Sequence, residues 1–126
     1  MRFPDTIAPL SLTSTEATAQ GYAALTQDWN PIHLDAEFAA ATPFGRPIAH
    51  GTMALNLLMQ AISAATGGRA VVSDLSIRFT APTFVGQTLT ATGTATDGTR
   101  YDVWVETEDG RKVLSGHAVL AERGAS

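Results

Sequence analysis

The run from Thr52 to Ala65 leaves a chain of this length the fewest options. It is long enough for about four helical turns, and Gly67-Gly68 ends it. Its polar residues Thr52, Asn56, Gln60 and Ser63 recur at i, i+4, i+8 and i+11. They make one narrow stripe, and the rest of the circumference is apolar. Such a helix has to be covered over most of its surface. A bilayer is not the cover, because the run is too short to span one and carries amides.

The cover follows in the sequence. Residues 71–79 alternate, with Leu75, Ile77 and Phe79 on one side and Asp74, Ser76 and Arg78 on the other. Thr88 to Thr96 alternates threonine with small or apolar residues. Tyr101 to Thr107 and Lys112 to Ala121 read as two more strands, and Asp97-Gly98 and Asp109-Gly110 are hairpin signals. The expected architecture is α+β, an antiparallel sheet curled round one long central helix. No repeat, linker or low-complexity run divides the chain, so one domain over residues 1–126 is expected. The sheet's edges invite pairing with a second copy.

The first third is punctuated differently. Pro4 and Pro9 mark a lead-in with room for one short strand. Thr13-Ser14-Thr15-Glu16 fits a capping box with Thr13 as N-cap, opening a helix to about Thr26. Pro31 favours extended backbone at Asn30 and ends any helix before it. Asp35 then fits the N-cap of a short helix over residues 36–41. Pro43, Gly45 and Pro47 make a loop up to Gly51.

Chemistry concentrates at Asp28-Trp29-Asn30-Pro31-Ile32-His33, with an echo at Pro47-Ile48-Ala49-His50-Gly51. Polar groups this dense are costly beside a core unless they are used. A carboxylate and an imidazole aimed at one water can hold it, deprotonate it and return a proton elsewhere. Asp28 and His33 fit that pair, and capping plus packing is the structural alternative. Asn30 either orients the pair or forms the turn before Pro31. Gly51 opens the apolar helix, so its N–H is an orphan donor at the positive end of the helix dipole, suited to an oxyanion. His50 and His117 read as structural. Arg78 lies on the polar strand face, where a phosphate could meet it, although a solvated face explains it as well. Asp28, His33, Asp35 and His50 are acceptable metal ligands, but the capping role of Asp35 competes and no metal is expected. The chain lacks a Gly-x-Ser-x-Gly elbow, a phosphate-binding glycine loop and a dinucleotide fingerprint.

Residues 22–35, Tyr22 to Asp35, and then Pro47-Ile48-Ala49-His50-Gly51, resemble the hydratase motif of the MaoC-like (R)-specific enoyl-CoA hydratases. Arg78-Phe79-Thr80-Ala81-Pro82 with Val85-Gly86-Gln87-Thr88-Leu89 resembles that family's strand pattern after the central helix. The resemblance implies a hot-dog fold and reversible hydration of trans-2-enoyl thioesters to (3R)-3-hydroxyacyl thioesters. It implies that Asp28 and His33 activate the water and deliver the proton, that Asn30 orients them, and that the Gly51 N–H holds the thioester oxygen. It implies an acyl thioester of CoA or of acyl carrier protein as substrate and no further cofactor. It also implies a homodimer or larger homo-oligomer. The sequence departs from the family at Gln27, where glycine usually precedes the aspartate.

Bulk properties narrow the rest. With 44% hydrophobic residues the chain can bury a core. A formal charge of -4 argues against a nucleic-acid partner. Zero cysteines exclude a thiol nucleophile and fit a reducing compartment. The N-terminus carries no apolar run of the signal-peptide kind, so a soluble cytoplasmic protein without a membrane partner is expected. Two alternatives to hydration remain. One is a hot-dog acyl-CoA thioesterase, which wants a carboxylate or polar group on the central helix, where this chain offers only Asn56, Gln60 and Ser63 and no Asp or Glu. The other is a non-catalytic acyl-thioester-binding subunit, which would be expected to have lost Asp28 or His33.

Overall fold

The computed structural model describes residues 3–27, 30–43, 45, 48–49 and 51–123. In chain order the elements are β1 (Thr6–Thr13), α1 (Glu16–Thr26), α2 (Pro31–Leu34), α3 (Ala36–Ala40), α4 (Gly51–Thr66), β2 (Ala70–Phe79), β3 (Thr88–Asp97), β4 (Arg100–Thr107) and β5 (Lys112–Glu122). The strands form one antiparallel sheet in the order β1-β3-β4-β5-β2, with α4 packed against it. This is the hot-dog arrangement.

The β1 strand is longer than the prolines of the lead-in allowed for. It takes the sheet edge beyond β3, and its register shifts between Ile7 and Leu10, around Pro9. An edge with a bulge is where a strand tolerates proline, which has no N–H to donate. Because β1 runs through Thr13, whose hydroxyl meets that of Thr88 at 2.9 Å, Thr13 is not a helix cap. The capping box shifts two residues along. Thr15 is the N-cap of α1, accepting from the Thr18 N–H at 3.1 Å, while the Thr18 hydroxyl accepts from the Thr15 N–H at 2.7 Å.

The core lies between α4 and the sheet. Ala54, Leu57, Leu58, Ala61 and Ile62 face inward, against Ile7, Leu89, Val103, Val105, Leu114 and Leu120. Burying a side chain of this size contributes roughly 1.5–3 kcal/mol. The helix is less completely wrapped than its composition implies. Thr52, Asn56, Gln60 and Ser63 stay exposed with Met59, because five strands close over one side of a helix and the polar stripe takes the other.

The β5 strand departs from simple alternation at one point. Val105 pairs with Leu114 and Glu106 with Lys112, so Val113 is an extra residue in the ladder. Through this bulge Val113 and Leu114 are both buried, and Val113 does not share a face with His117 and Val119, as simple alternation along the strand would have placed it.

Candidate active site

His33 sits in α2, a single turn set up by its neighbours. Pro31 opens it at the position where a missing N–H costs nothing. The Asn30 side-chain oxygen accepts from the Ile32 N–H at 3.1 Å, and its backbone carbonyl accepts from the His33 N–H at 3.0 Å. Asn30 therefore forms the turn that leads into His33, the second of the two roles its position before Pro31 suggested. Asp35 caps α3 as expected, accepting from the Glu37 and Phe38 N–H groups at 3.0 and 3.2 Å.

The His33 ring is half-buried, and its Nδ1 lies 2.8 Å from the Ile48 carbonyl oxygen. A carbonyl only accepts, so Nδ1 carries the hydrogen. In the neutral ring that leaves Nε2 as the basic nitrogen. Ile48 is itself held from two sides. Its N–H donates to the Ile32 carbonyl at 3.1 Å, and it bridges to Phe84. The next residue, Ala49, donates to the Thr83 carbonyl at 2.6 Å. The histidine, the loop before α4 and the stretch after β2 are thus joined by backbone hydrogen bonds.

His33 and Gly51 open on the same cleft, of about 380 Å³, with Ile48, Phe79, Thr83 and Val113 among its walls. Gly51 begins the sixteen-residue α4, so the positive end of that helix faces the cleft. The Phe79 ring lies over Gly51. A Cβ at that residue would come within 3.4 Å of it. The cleft is apolar along most of its lining, and an imidazole and a helix start both open on it. Two of the four expected site residues, His33 and Gly51, line this cleft, while Asn30 holds the turn before His33 and is not part of the lining. Asp28 lies outside the described residues, as does His50.

Phe79 and Val113 are wall residues that pattern reading misses. The alternation of β2 assigns Phe79 to the core side, yet it is 55% exposed, because the strand ends there and the helix beneath it begins with a glycine. Val113 enters through the bulge, which has no marker in the sequence. Gln27 ends α1 in the left-handed region (φ 59°, ψ 29°), with its N–H on the Ala23 carbonyl and its side-chain amide donating to the Ala24 carbonyl at 2.8 Å. That conformation is one glycine adopts freely. Among the described residues no three His, Cys, Asp or Glu side chains gather to hold a metal, and no helix is long and apolar enough to cross a membrane.

Residues 3–116 match the family model described as MaoC like domain. The (R)-specific enoyl-CoA hydratase of Aeromonas caviae is 39% identical over 85 residues, a stretch that takes in 67% of this chain and 63% of that protein. Among solved structures, the A. caviae (R)-hydratase involved in PHA biosynthesis superposes with a TM-score of 0.82 at 31% identity, covering 95% of this chain and 96% of that one. An unliganded R-hydratase from Pseudomonas aeruginosa superposes with a TM-score of 0.87 at 28% identity, over 97% of this chain and 82% of that one.

Proposed function

Because this chain belongs to the MaoC-like domain family, we propose that it adds water reversibly to a trans-2-enoyl thioester, giving a (3R)-3-hydroxyacyl thioester. The observation that carries this reading is the convergence of the His33 imidazole and the Gly51 start of α4 on one apolar cleft. Relatives named for the same reaction support it.

The step balances with one water and no other reactant. A base takes a proton from water as its oxygen bonds to C3 of the enoyl group. The electron pair moves toward the thioester carbonyl, whose oxygen gains charge. The Gly51 N–H, backed by the helix dipole, stabilises that charge. The proton returns to C2. His33 is the basic nitrogen next to the site, and Asp28, five residues earlier, is its partner as base and acid. Which of the two removes the proton and which returns it follows the direction of the reaction. Asn30 keeps the turn that aims the ring. The carrier is CoA in this reading, and the compartment is the cytoplasm, in keeping with the absence of cysteine. The active form is a homodimer. Its support is the free edge of β2 and the exposed Phe79 at that strand's end, an apolar group that a second copy would cover.

The test is the loss of conjugated enoyl-thioester absorbance when the purified protein meets crotonyl-CoA. We expect activity, and a fall in kcat of about 10²–10⁴ in both His33→Ala and Asp28→Asn with the fold intact by circular dichroism. Activity surviving both changes would sink the mechanism. Release of free thiol in place of hydration would make the protein a thioesterase.

A further inference from the structure

The outer face of the sheet, away from α4, carries a second depression of about 480 Å³. Its floor is made by three adjacent strands. In one row Ser115 of β5 lies between Arg78 of β2 and Trp104 of β4, and in the next His117 lies between Ser76 and Asp102. Lys112 leans over Trp104, its Nζ 4.9 Å from the ring centroid. Donors outnumber acceptors here. Arg78 and Lys112 pair with no carboxylate among the described residues, and Asp102 is already engaged by the His117 Nδ1 at 2.9 Å. The Ser76 and Ser115 hydroxyls add two donors. A guanidinium fork, an ammonium and two hydroxyls round one hollow match an anion with three terminal oxygens better than a carboxylate with two. That the hollow occurs on a chain of net charge -4 makes the local excess of cations more specific.

We propose that this depression binds a phosphoryl group, with Arg78 and Lys112 as its charged ligands. Arg78 adjoins Phe79, and Lys112 adjoins Val113, both of which line the cleft on the opposite face. The two hollows thus back onto each other at one end of the β2–β5 pair. The phosphoryl group has two possible sources: the nucleotide end of the thioester carrier, which rests on the hydration reading, or a separate phosphorylated small molecule, which does not.

Titration with inorganic phosphate and with ADP, followed by the ¹H–¹⁵N signal of the Trp104 indole, tests the site without reference to activity. A saturable shift is expected, and Arg78→Gln/Lys112→Gln should weaken binding by about tenfold or more. A signal unmoved by either probe, or equal affinity in the double variant, overturns the proposal. The source is read from KM values of the double variant. A rise for crotonyl-CoA without one for crotonyl-pantetheine, which has no phosphoryl group, identifies the carrier. If neither KM moves although phosphate binding is lost, the ligand is a separate small molecule. If neither thioester is hydrated even by the parent, the hydration reading fails, and the titration still decides the site.

Discussion

Gln27 shows what one residue costs and what it hints at. It holds the left-handed cap of α1, immediately before Asp28, with a side chain that disfavours the conformation. Its two hydrogen bonds to α1 offset part of that strain. Gln27→Gly should therefore raise stability, by about 0.5–1 kcal/mol, read as a higher urea midpoint at unchanged m-value. Gly51 is a contrasting case. Its backbone conformation is ordinary, and a Cβ there would reach only van der Waals contact with Phe79. What the reaction needs from it is the N–H. Gly51→Ala keeps that donor and should retain most of kcat on crotonyl-CoA. Gly51→Pro removes it at the first helical position, where proline is tolerated, and should lower kcat by about 10²–10³. Equal activity in the two variants would count against an oxyanion role for this N–H.

At the level of elements, the β2–β5 pair is the most tightly specified. A Cβ on Gly116 would fall 2.0 Å from the Ser76 carbonyl oxygen and 2.7 Å from the Ile77 Cα, both backbone atoms that cannot step aside. Gly116→Ala should cost at least about 1–3 kcal/mol in chemical denaturation. It should also disturb both hollows, since β2 contributes to each. The strands themselves were legible because Leu75, Ile77 and Phe79 alternate with polar residues and the Asp-Gly pairs mark the hairpins. The central helix was legible from its stripe. The bulge at Val113 and the shift of the capping box from Thr13 to Thr15 were not. Both depend on which residue of one strand meets which residue of another, and Thr13 reads equally well as a cap until Thr88 lies opposite it. The same limit applies to the site. His33, Asn30 and Gly51 are visible as a motif, whereas the role of Ile48 in fixing the His33 tautomer is carried by a backbone carbonyl, which every residue type possesses.

For the molecule as a whole, Tyr101 links the sheet to the lead-in. It is fully buried, and its hydroxyl donates to the Pro4 carbonyl. Burial, and then the carboxylate of Asp5, push its phenol above the usual tyrosine range. The folded protein thus holds this proton after the unfolded chain has released it near pH 10. The Tyr101 contribution is complete below that pH and is lost as pH rises through the higher folded value. The slope is at most about 1.4 kcal/mol per pH unit. Urea midpoints measured upward from about pH 9 should fall less steeply in Tyr101→Phe than in the parent, from a lower starting stability. A parallel decline would mean that other groups govern the alkaline limit.

The strand order carries a consequence for how the molecule is made. The hydroxyl pairs Ser11–Thr90 and Thr13–Thr88 join residues 79 and 75 positions apart. Of the five strands, the first to leave the ribosome is β1, and its partner β3 follows only after α4 and β2. Through that interval β1 is an unpaired β-segment, open to association with other nascent chains. Closing so wide a loop also slows folding, since the entropy of the intervening chain is lost before the contacts form. The proline at the centre of β1, with its missing N–H, is then a safeguard during synthesis: it makes the exposed strand a poor template for any partner that arrives before β3.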